Sequence, residues 1–317
     1  MDNASRPNAR DADGSAIAKV AAAEPGTPFS LSELLGLPVP VLIAVPHAGR
    51  DYAPELLAAM RNPAWGPTRL EDRYVDTLGI AVAEATGASL VVAHAPRAMI
   101  DLNRAPDDVD WSMIVGSSRR TTQSSINRRA RSGLGLVPRR LGGAGEVWKQ
   151  RLPLAELDER IAIIHRPYHA AVSAALERLR DKWGAALLID LHSMPPLTPA
   201  GGRAGSGAEF VIGDRFGASC VPELTAHALR YLSASGRRVA HNRPYSGGYA
   251  LDRHAATRRS IHAIQIEVCR SIYLDAHLDQ PGPRLPAVIR TLTGLVRILA
   301  NEVAAIGTPG SFRQAAE

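Results

Sequence analysis

Four residues stand out by chemical type and by their places in the chain: His47, Asp72, His192 and Glu267. Imidazoles and carboxylates are ordinary ligands of a catalytic zinc, which takes three protein donors and keeps a fourth position for water. His47 follows the apolar run 39–45 (VPVLIAV), His192 follows 185–191 (AALLIDL), and Glu267 lies near the end of 261–268 (IHAIQIEV). Apolar runs rich in β-branched residues mark strands buried on both faces. In open α/β sheets, ligands bind outside the carboxyl ends of such strands, so three separate segments deliver polar groups to one place. Asp72, in Glu71-Asp72-Arg73-Tyr74, adds a carboxylate just before a helical stretch, a position that equally suits a helix N-cap. Taken singly, a strand-end histidine is more often a hydrogen-bonded structural residue than a ligand. Glu267 is different, because an unpaired carboxylate is costly to bury in an apolar strand and needs a partner, solvent or a function.

Around these residues lie groups that suit a small anionic ligand. In the segment 97–104 (RAMIDLNR), polar residues interrupt an extended apolar stretch: Arg97 opens it and Asn103-Arg104 close it. A guanidinium matches a carboxylate by a planar bidentate fork, with an asparagine amide as a second donor. A salt bridge of Asp101 with Arg104 or Arg97 explains the same residues. The segment 242–249 (NRPYSGGY) joins a turn signal to Tyr245 and Tyr249, as in a loop that closes on a ligand, or in an ordinary glycine turn. The chain has no Walker loop, no GxGxxG after a strand and no GxSxG elbow, which removes support for nucleotide-binding and serine-hydrolase functions.

The elements that must position these groups alternate. Residues 74–86 have the period of an amphipathic helix stopped by Gly87, and 89–93 form the next strand, with 98–102 extended. Residues 154–183 are helical in period, but Pro167 removes a backbone donor and should break or kink the helix near Arg166. Beyond a loop containing Gly201, Gly202, Gly205 and Gly207, a short strand at 210–213, a helix at 222–235 closed by Gly236, a strand at 238–241 and a final helix at 285–306 complete the reading. Strands separated by helices imply an α/β fold with a mostly parallel, mixed sheet covered by helices on both faces. Residues 1–28 read as a segment without fixed structure, 29–317 as a single domain, and the aperiodic stretch at about 105–150 as an insertion.

Composition narrows the function classes. Of the 317 residues 45% are hydrophobic and 21% charged, as expected of a soluble globular protein rather than a fibre or a disordered chain. The formal charge of +6 and pI near 9.7 favour acidic partners, small molecules or nucleic acid. Much of the excess sits at Arg119, Arg120, Arg128, Arg129, Arg131, Arg139 and Arg140, a stretch that contains no aromatic residue and so offers no stacking platform for bases. A nucleic-acid-associated protein with an inactive hydrolase fold is the non-enzyme alternative, and no nucleic acid partner is expected. Cys220 and Cys269 lack any metal or disulfide spacing, which fits a reducing cytoplasm, and the first residues make a poor signal peptide and no membrane span.

Eight segments, in order, resemble the N-formylglutamate amidohydrolase family: VPHAGRDY (45–52), EDRYVDTL (71–78), RAMIDLNRAPDD (97–108), HRPYHAAV (165–172), LIDLHSMPP (188–196), GDRFGASC (213–220), NRPYSGGY (242–249) and HAIQIEVCRSIYLD (262–275). The resemblance implies a fold related to zinc carboxypeptidases and aminoacylase-type deacylases. It also implies one zinc or other divalent ion per chain, held by His47, Asp72 and His192, with Glu267 as general base. Asn103 and Arg104, with Arg97 and Tyr245, would meet a small acidic N-acyl amino acid. The implied reaction is hydrolysis of N-formyl-L-glutamate to formate and L-glutamate in histidine degradation, and the alternative is a related deacylase for another N-acyl amino acid or small peptide. In the peptidases the first histidine and the acidic ligand lie three residues apart, whereas His47 and Asp72 are far apart, which leaves Glu71 or Asp76 as alternative ligands.

Overall fold

The computed structural model describes residues 26–116, 128–142, 145–198 and 207–308. Most of the N-terminal segment, Arg119, Arg120 and the glycines at 201, 202 and 205 lie outside the described residues. The strands of the main sheet are β1 (Phe29–Ser32), β2 (Val41–Val45), β3 (Ser89–Ala93), β4 (Ala186–Met194), β5 (Phe210–Gly213), β6 (Val239–His241) and β7 (Ile261–Cys269). They lie in the order β1-β3-β2-β4-β7-β5-β6. The pairs β3/β2, β2/β4, β4/β7 and β5/β6 are parallel, while β1/β3 and β7/β5 are antiparallel. This is the mostly parallel, mixed sheet expected. Every residue of β2, β4 and β7 is buried, the reason these strands read as unbroken apolar runs.

Besides short helices at Pro54–Ala59, Gly66–Leu70 and Arg128–Arg131, the described helices include α1 (Val75–Thr86), α2 (Leu154–Arg160), α3 (Arg166–Trp183), α4 (Pro222–Ala234), α5 (Tyr249–His254) and α6 (Leu285–Gly307). On one face of the sheet, Val41, Ile43, Leu187, Ile189, Ile264 and Ile266 pack in one core with α1, α4 and α6. On the other, Leu42, Ala44, Leu188 and Ala263 share a core with α2, α3, Leu251 of α5 and residues of the insertion. Burial of each large aliphatic side chain is worth about 1.5–3 kcal/mol, so the two faces together commit the chain to this layering. Because side chains alternate along a strand, Asp190, His192, Gln265 and Glu267 share the second face, toward the carboxyl ends of β4 and β7.

Pro167 acts as expected, with a finer result. A π-helical turn, Ile161–His165, separates α2 from α3, and Pro167 sits in the first turn of α3. The wider turn accommodates the missing N–H. Three expectations are corrected. Residues 98–102 form turns rather than an extended segment, with the backbone N–H groups of Met99 and Ile100 both donating to the Pro96 carbonyl at 2.8 and 3.3 Å. Strand β4 runs on to Met194, so His192 lies within it rather than after it. Strand β1 and helix α5 were not foreseen, since four half-buried residues and one six-residue turn leave little periodicity to read. The described parts of 105–150 contain short strands, turns, a 3-10 turn at Trp111–Met113 and one helical turn at Arg128–Arg131, anchored by the buried Met113, Ile114, Leu136 and Val137. Within them Arg139 pairs with Asp110 and Glu146 at 2.6 and 2.9 Å. No helix among the described residues is long and apolar enough to cross a membrane.

Candidate metal centre and active site

His47 lies two residues beyond β2, and its carbonyl accepts from the Asp72 N–H at 2.9 Å, which fastens the loop before α1 to the strand end. Tyr74, with φ of 56°, turns the chain into α1 and takes the N-cap position, so Asp72 caps nothing. Its carboxylate instead faces two imidazoles: Oδ2 is 3.5 Å from His47 Nδ1 and 3.1 Å from His192 Nδ1. All three side chains are buried, and one ligand atom from each lies within 4.8 Å of the others. The far nitrogen of each ring meets a carboxylate, His47 Nε2 at 2.7 Å from Asp101 and His192 Nε2 at 2.8 Å from Asp190. A proton on each Nε2 turns both Nδ1 atoms toward Asp72, where a bound ion would meet their lone pairs; without an ion His192 Nδ1 donates to Asp72 Oδ2 at 3.1 Å, and His47 Nδ1 is buried with no hydrogen-bond partner among the described residues. Carboxylate–histidine pairs of this kind orient metal-binding imidazoles and raise their basicity. Asp72 Oδ1 accepts from Ser193 Oγ and Arg270, both at 3.3 Å, which leaves Oδ2 as the donor atom. The residues present thus fit one divalent ion.

The alternative carboxylates are otherwise engaged. Glu71 accepts from Arg73 at 3.1 Å, and Asp76 from Arg50 at 3.0 and 2.6 Å. Burial opposes ionisation of Asp72, but the His192 hydrogen bond and the nearness of both imidazoles outweigh it and hold its carboxyl well below the usual range. Burial likewise opposes the charged form of His192, yet Asp190 and Asp72 raise it well above an ordinary histidine. Glu267 is the register partner of His192 across β4 and β7, and its Oε1 accepts from Gln265 at 2.8 Å. Burial pushes its carboxyl up to about 8, only partly offset by the His192 charge. Arg97 donates through Nε to Asp101 at 2.9 Å. Burial disfavours its charge, but Asp101, Asp72 and Glu267 more than compensate, which places the guanidinium within their field.

A family model described as N-formylglutamate amidohydrolase matches residues 39–274. The chain belongs to the N-formylglutamate amidohydrolase family. It is 31% identical over 250 residues to an N-formylglutamate deformylase of Pseudomonas aeruginosa, covering 75% of this chain and 83% of that protein. It is 32% identical over 248 residues to an N-formylglutamate deformylase of Pseudomonas putida, covering 75% and 82%. Among solved structures, an N-formylglutamate amidohydrolase from Ralstonia eutropha JMP134 superposes with a TM-score of 0.78 at 30% identity, covering 88% of this chain and 99% of that one.

The N-formylglutamate amidohydrolase match runs from just ahead of β2 to just past β7, so it encloses every candidate residue named above. Within it, Asn103 and Arg104 turn inward. Asn103 Oδ1 accepts from the Ala250 N–H at 2.9 Å, which fixes the amide orientation, and Nδ2 donates to Asp190 Oδ2 at 3.2 Å and Gln265 Oε1 at 3.3 Å. Asn103 is only 4% exposed and stands behind His192. Arg104 donates to the carbonyls of Leu134 and Asn103 at 2.9 and 2.7 Å. Tyr245 is half-buried against the first-face core, in a loop that approaches Asn103 so closely that a Cβ on Gly248 would lie 2.5 Å from Asn103 Oδ1. Asp190, Gln265 and Arg270 join the site without being singled out by residue type and spacing. Asp190 and Gln265 were legible in principle, two residues before His192 and Glu267 and so on the same strand face. Arg270 carries no such local signal.

Proposed function

We propose that this chain is a metal-dependent deformylase that hydrolyses N-formyl-L-glutamate to formate and L-glutamate, with one zinc ion per chain held by His47, Asp72 and His192. The observation that carries this reading is the pair of carboxylate-backed imidazoles whose Nδ1 atoms face Asp72 Oδ2, beside the buried Glu267. The family and the names of the relatives supply the substrate. A divalent ion bound there supplies Lewis acidity, lowering the pKa of water and polarising the formyl carbonyl. Glu267 takes a proton from water as its oxygen attacks the formyl carbon. It returns that proton to the glutamate nitrogen as the carbon–nitrogen bond breaks, and formate leaves. A carboxyl with a raised pKa is suited to hold the proton between these steps.

Arg97 is the substrate-facing cation in this proposal. Its Nε is committed to Asp101 and the rest of the guanidinium lies in the field of Asp72 and Glu267, where it can meet the carbonyl oxygen or a substrate carboxylate. Asn103 and Arg104 support the site from behind, and Tyr245 borders it through its loop. The net charge of +6 favours an acidic substrate over a neutral one. Formate release from N-formyl-L-glutamate, before chelation, after it and after addition of zinc, tests the proposal. Release should vanish on chelation and return with zinc. Undiminished turnover by metal-free protein, or none with stoichiometric zinc, would sink it.

A further inference from the structure

Three histidines lie together beneath the candidate site, away from the proposed metal ligands. His165 ends the π-helical turn and His169 follows one helical turn later in α3. The spacing of four residues places both rings on one face of the helix. His165 Nε2 lies 2.9 Å from the carbonyl oxygen of Arg104, and His169 Nε2 lies 3.0 Å from that of Leu102. These two carbonyls flank Asn103. The third ring, His254 at the end of α5, stacks on His169 with ring centres 5.1 Å apart and an interplanar angle of 25°.

The hydrogen bonds determine a direction. A carbonyl can only accept, so His165 and His169 each carry their proton on Nε2. Neutral His169 then presents a bare Nδ1, 2.9 Å from His254 Nε2, and His254 must donate. That leaves His254 Nδ1 as the acceptor for the Ser173 hydroxyl at 3.2 Å. The chain runs from Ser173 through His254 and His169 to the Leu102 carbonyl with every imidazole neutral, as burial itself favours: it depresses His169 to about 2 and His254 to about 3. Helix α5 also meets the turn directly, since its Ala250 N–H donates to Asn103 Oδ1. Asn103 Nδ2 in turn donates to the Asp190 oxygen that accepts from His192 Nε2.

We propose that His165, His169 and His254 are positioning residues that clamp the turn at residues 102–104 and, through the Asn103 amide, set the Asp190 carboxylate that aims His192 at the metal site. The inference rests on the metal-site reading of the preceding section. Two of the three histidines belong to one short motif, HRPYH, whose spacing would otherwise serve no function in the chemistry.

The test uses the full-length protein with zinc as the probe. His169→Phe keeps a ring and removes the donor to Leu102, whereas His169→Gln restores a donor near the Nε2 position. Zinc affinity is measured by competition with a chromophoric chelator, alongside kcat, KM and thermal midpoint. His169→Phe should bind zinc about tenfold more weakly or worse, in the range found when outer-shell partners of a ligand are removed. Its kcat should fall with KM little changed, and His169→Gln should recover most of both. Ser173→Ala disturbs only the end of the chain and should show a smaller shift in the same direction, which keeps the test informative should His169→Phe not fold. Zinc affinity and kcat equal to wild type in folded His169→Phe, or in Ser173→Ala where His169→Phe does not fold, would overturn the proposal, even with a lowered thermal midpoint. A wild type that binds zinc but releases no formate from N-formyl-L-glutamate would defeat the function reading alone. A wild type that takes up no zinc would defeat both.

Discussion

Two buried carboxylates at the centre of the site are driven in opposite directions. Asp72 faces two imidazoles and is held ionised, while Glu267, placed on the apolar strand β7, is pushed up to about 8. Such separation suits different tasks, in the proposed function a permanent anion that ligates and a group that takes and returns a proton. Glu267→Gln keeps nearly the same volume and removes the proton acceptor. Metal content and thermal midpoint should stay close to wild type while kcat falls about a hundredfold or more; loss of stoichiometric metal would instead make Glu267 a ligand. In the proposed function Arg97 serves two partners, Asp101 through Nε and substrate through its terminal nitrogens. An ammonium cannot do both, so Arg97→Lys should lower kcat/KM for N-formyl-L-glutamate about tenfold or more with metal retained. Unaltered kinetics would return Arg97 to a purely structural role.

At the scale of elements, the site depends on loops and helix ends that strands and packing hold in place. Gly184 closes α3 in the left-handed region at φ of 78°, and a Cβ there would lie 2.2 Å from the carbonyl oxygen of Gly307 at the end of α6. The two helices, on opposite faces of the sheet, therefore end against one another with no room for a methyl group. Gly184→Ala should cost about 1–3 kcal/mol, by backbone strain and displacement of the α6 terminus, and should spare metal binding because Gly184 precedes the amino end of the central strand β4, opposite the site. Urea unfolding with a parallel zinc titration checks both parts; an unchanged midpoint would show that α6 yields without cost. The stops at Gly87 and Gly236 were readable in the sequence because each must adopt positive φ. The turns at residues 97–104 were not, since their conformation follows from the Pro96 and Leu136 carbonyls that bind them.

For the whole molecule, the buried histidines predict acid lability. His169 and His254 titrate near 6.5 when unfolded and at about 2 and about 3 when folded, burial being the main cause. The unfolded chain therefore binds more protons than the folded one below pH 6.5, and stability falls as pH drops through that window. His165 acts in the same direction, also through burial. His192, raised in the metal-free protein, acts oppositely but only above pH 6.5; Glu267, pushed up to about 8 by burial, holds its proton in the folded chain across the same interval and offsets about one of the two histidines; and the depressed Asp72 and Asp101 act only near and below the ordinary carboxylate range. Between pH 6.5 and 5 each of His169 and His254 should remove about 2 kcal/mol. Urea midpoints of chelated protein should drop clearly across this interval, and a flat profile would show that the rings become protonated without unfolding.

By itself the sequence determined the layering, because the runs in β2, β4 and β7 could only be strands covered on both faces, with helix stops between them. It also determined which polar groups reach one end of the sheet, since His47, His192 and Glu267 lie at or near the carboxyl ends of those strands. Only the tertiary structure decided which nitrogen of each histidine faces inward, because that depends on Asp101 and Asp190, one of them 54 residues away in the chain. It likewise separated Asp72 from Glu71 and Asp76, three neighbours alike in type but paired with different arginines and histidines. It turned Asn103 and Arg104 inward and brought His165, His169 and His254 beneath them. Strand and helix periodicity are local properties of the chain, whereas hydrogen-bond partners of buried side chains come from segments that meet only once the sheet and its two faces have assembled.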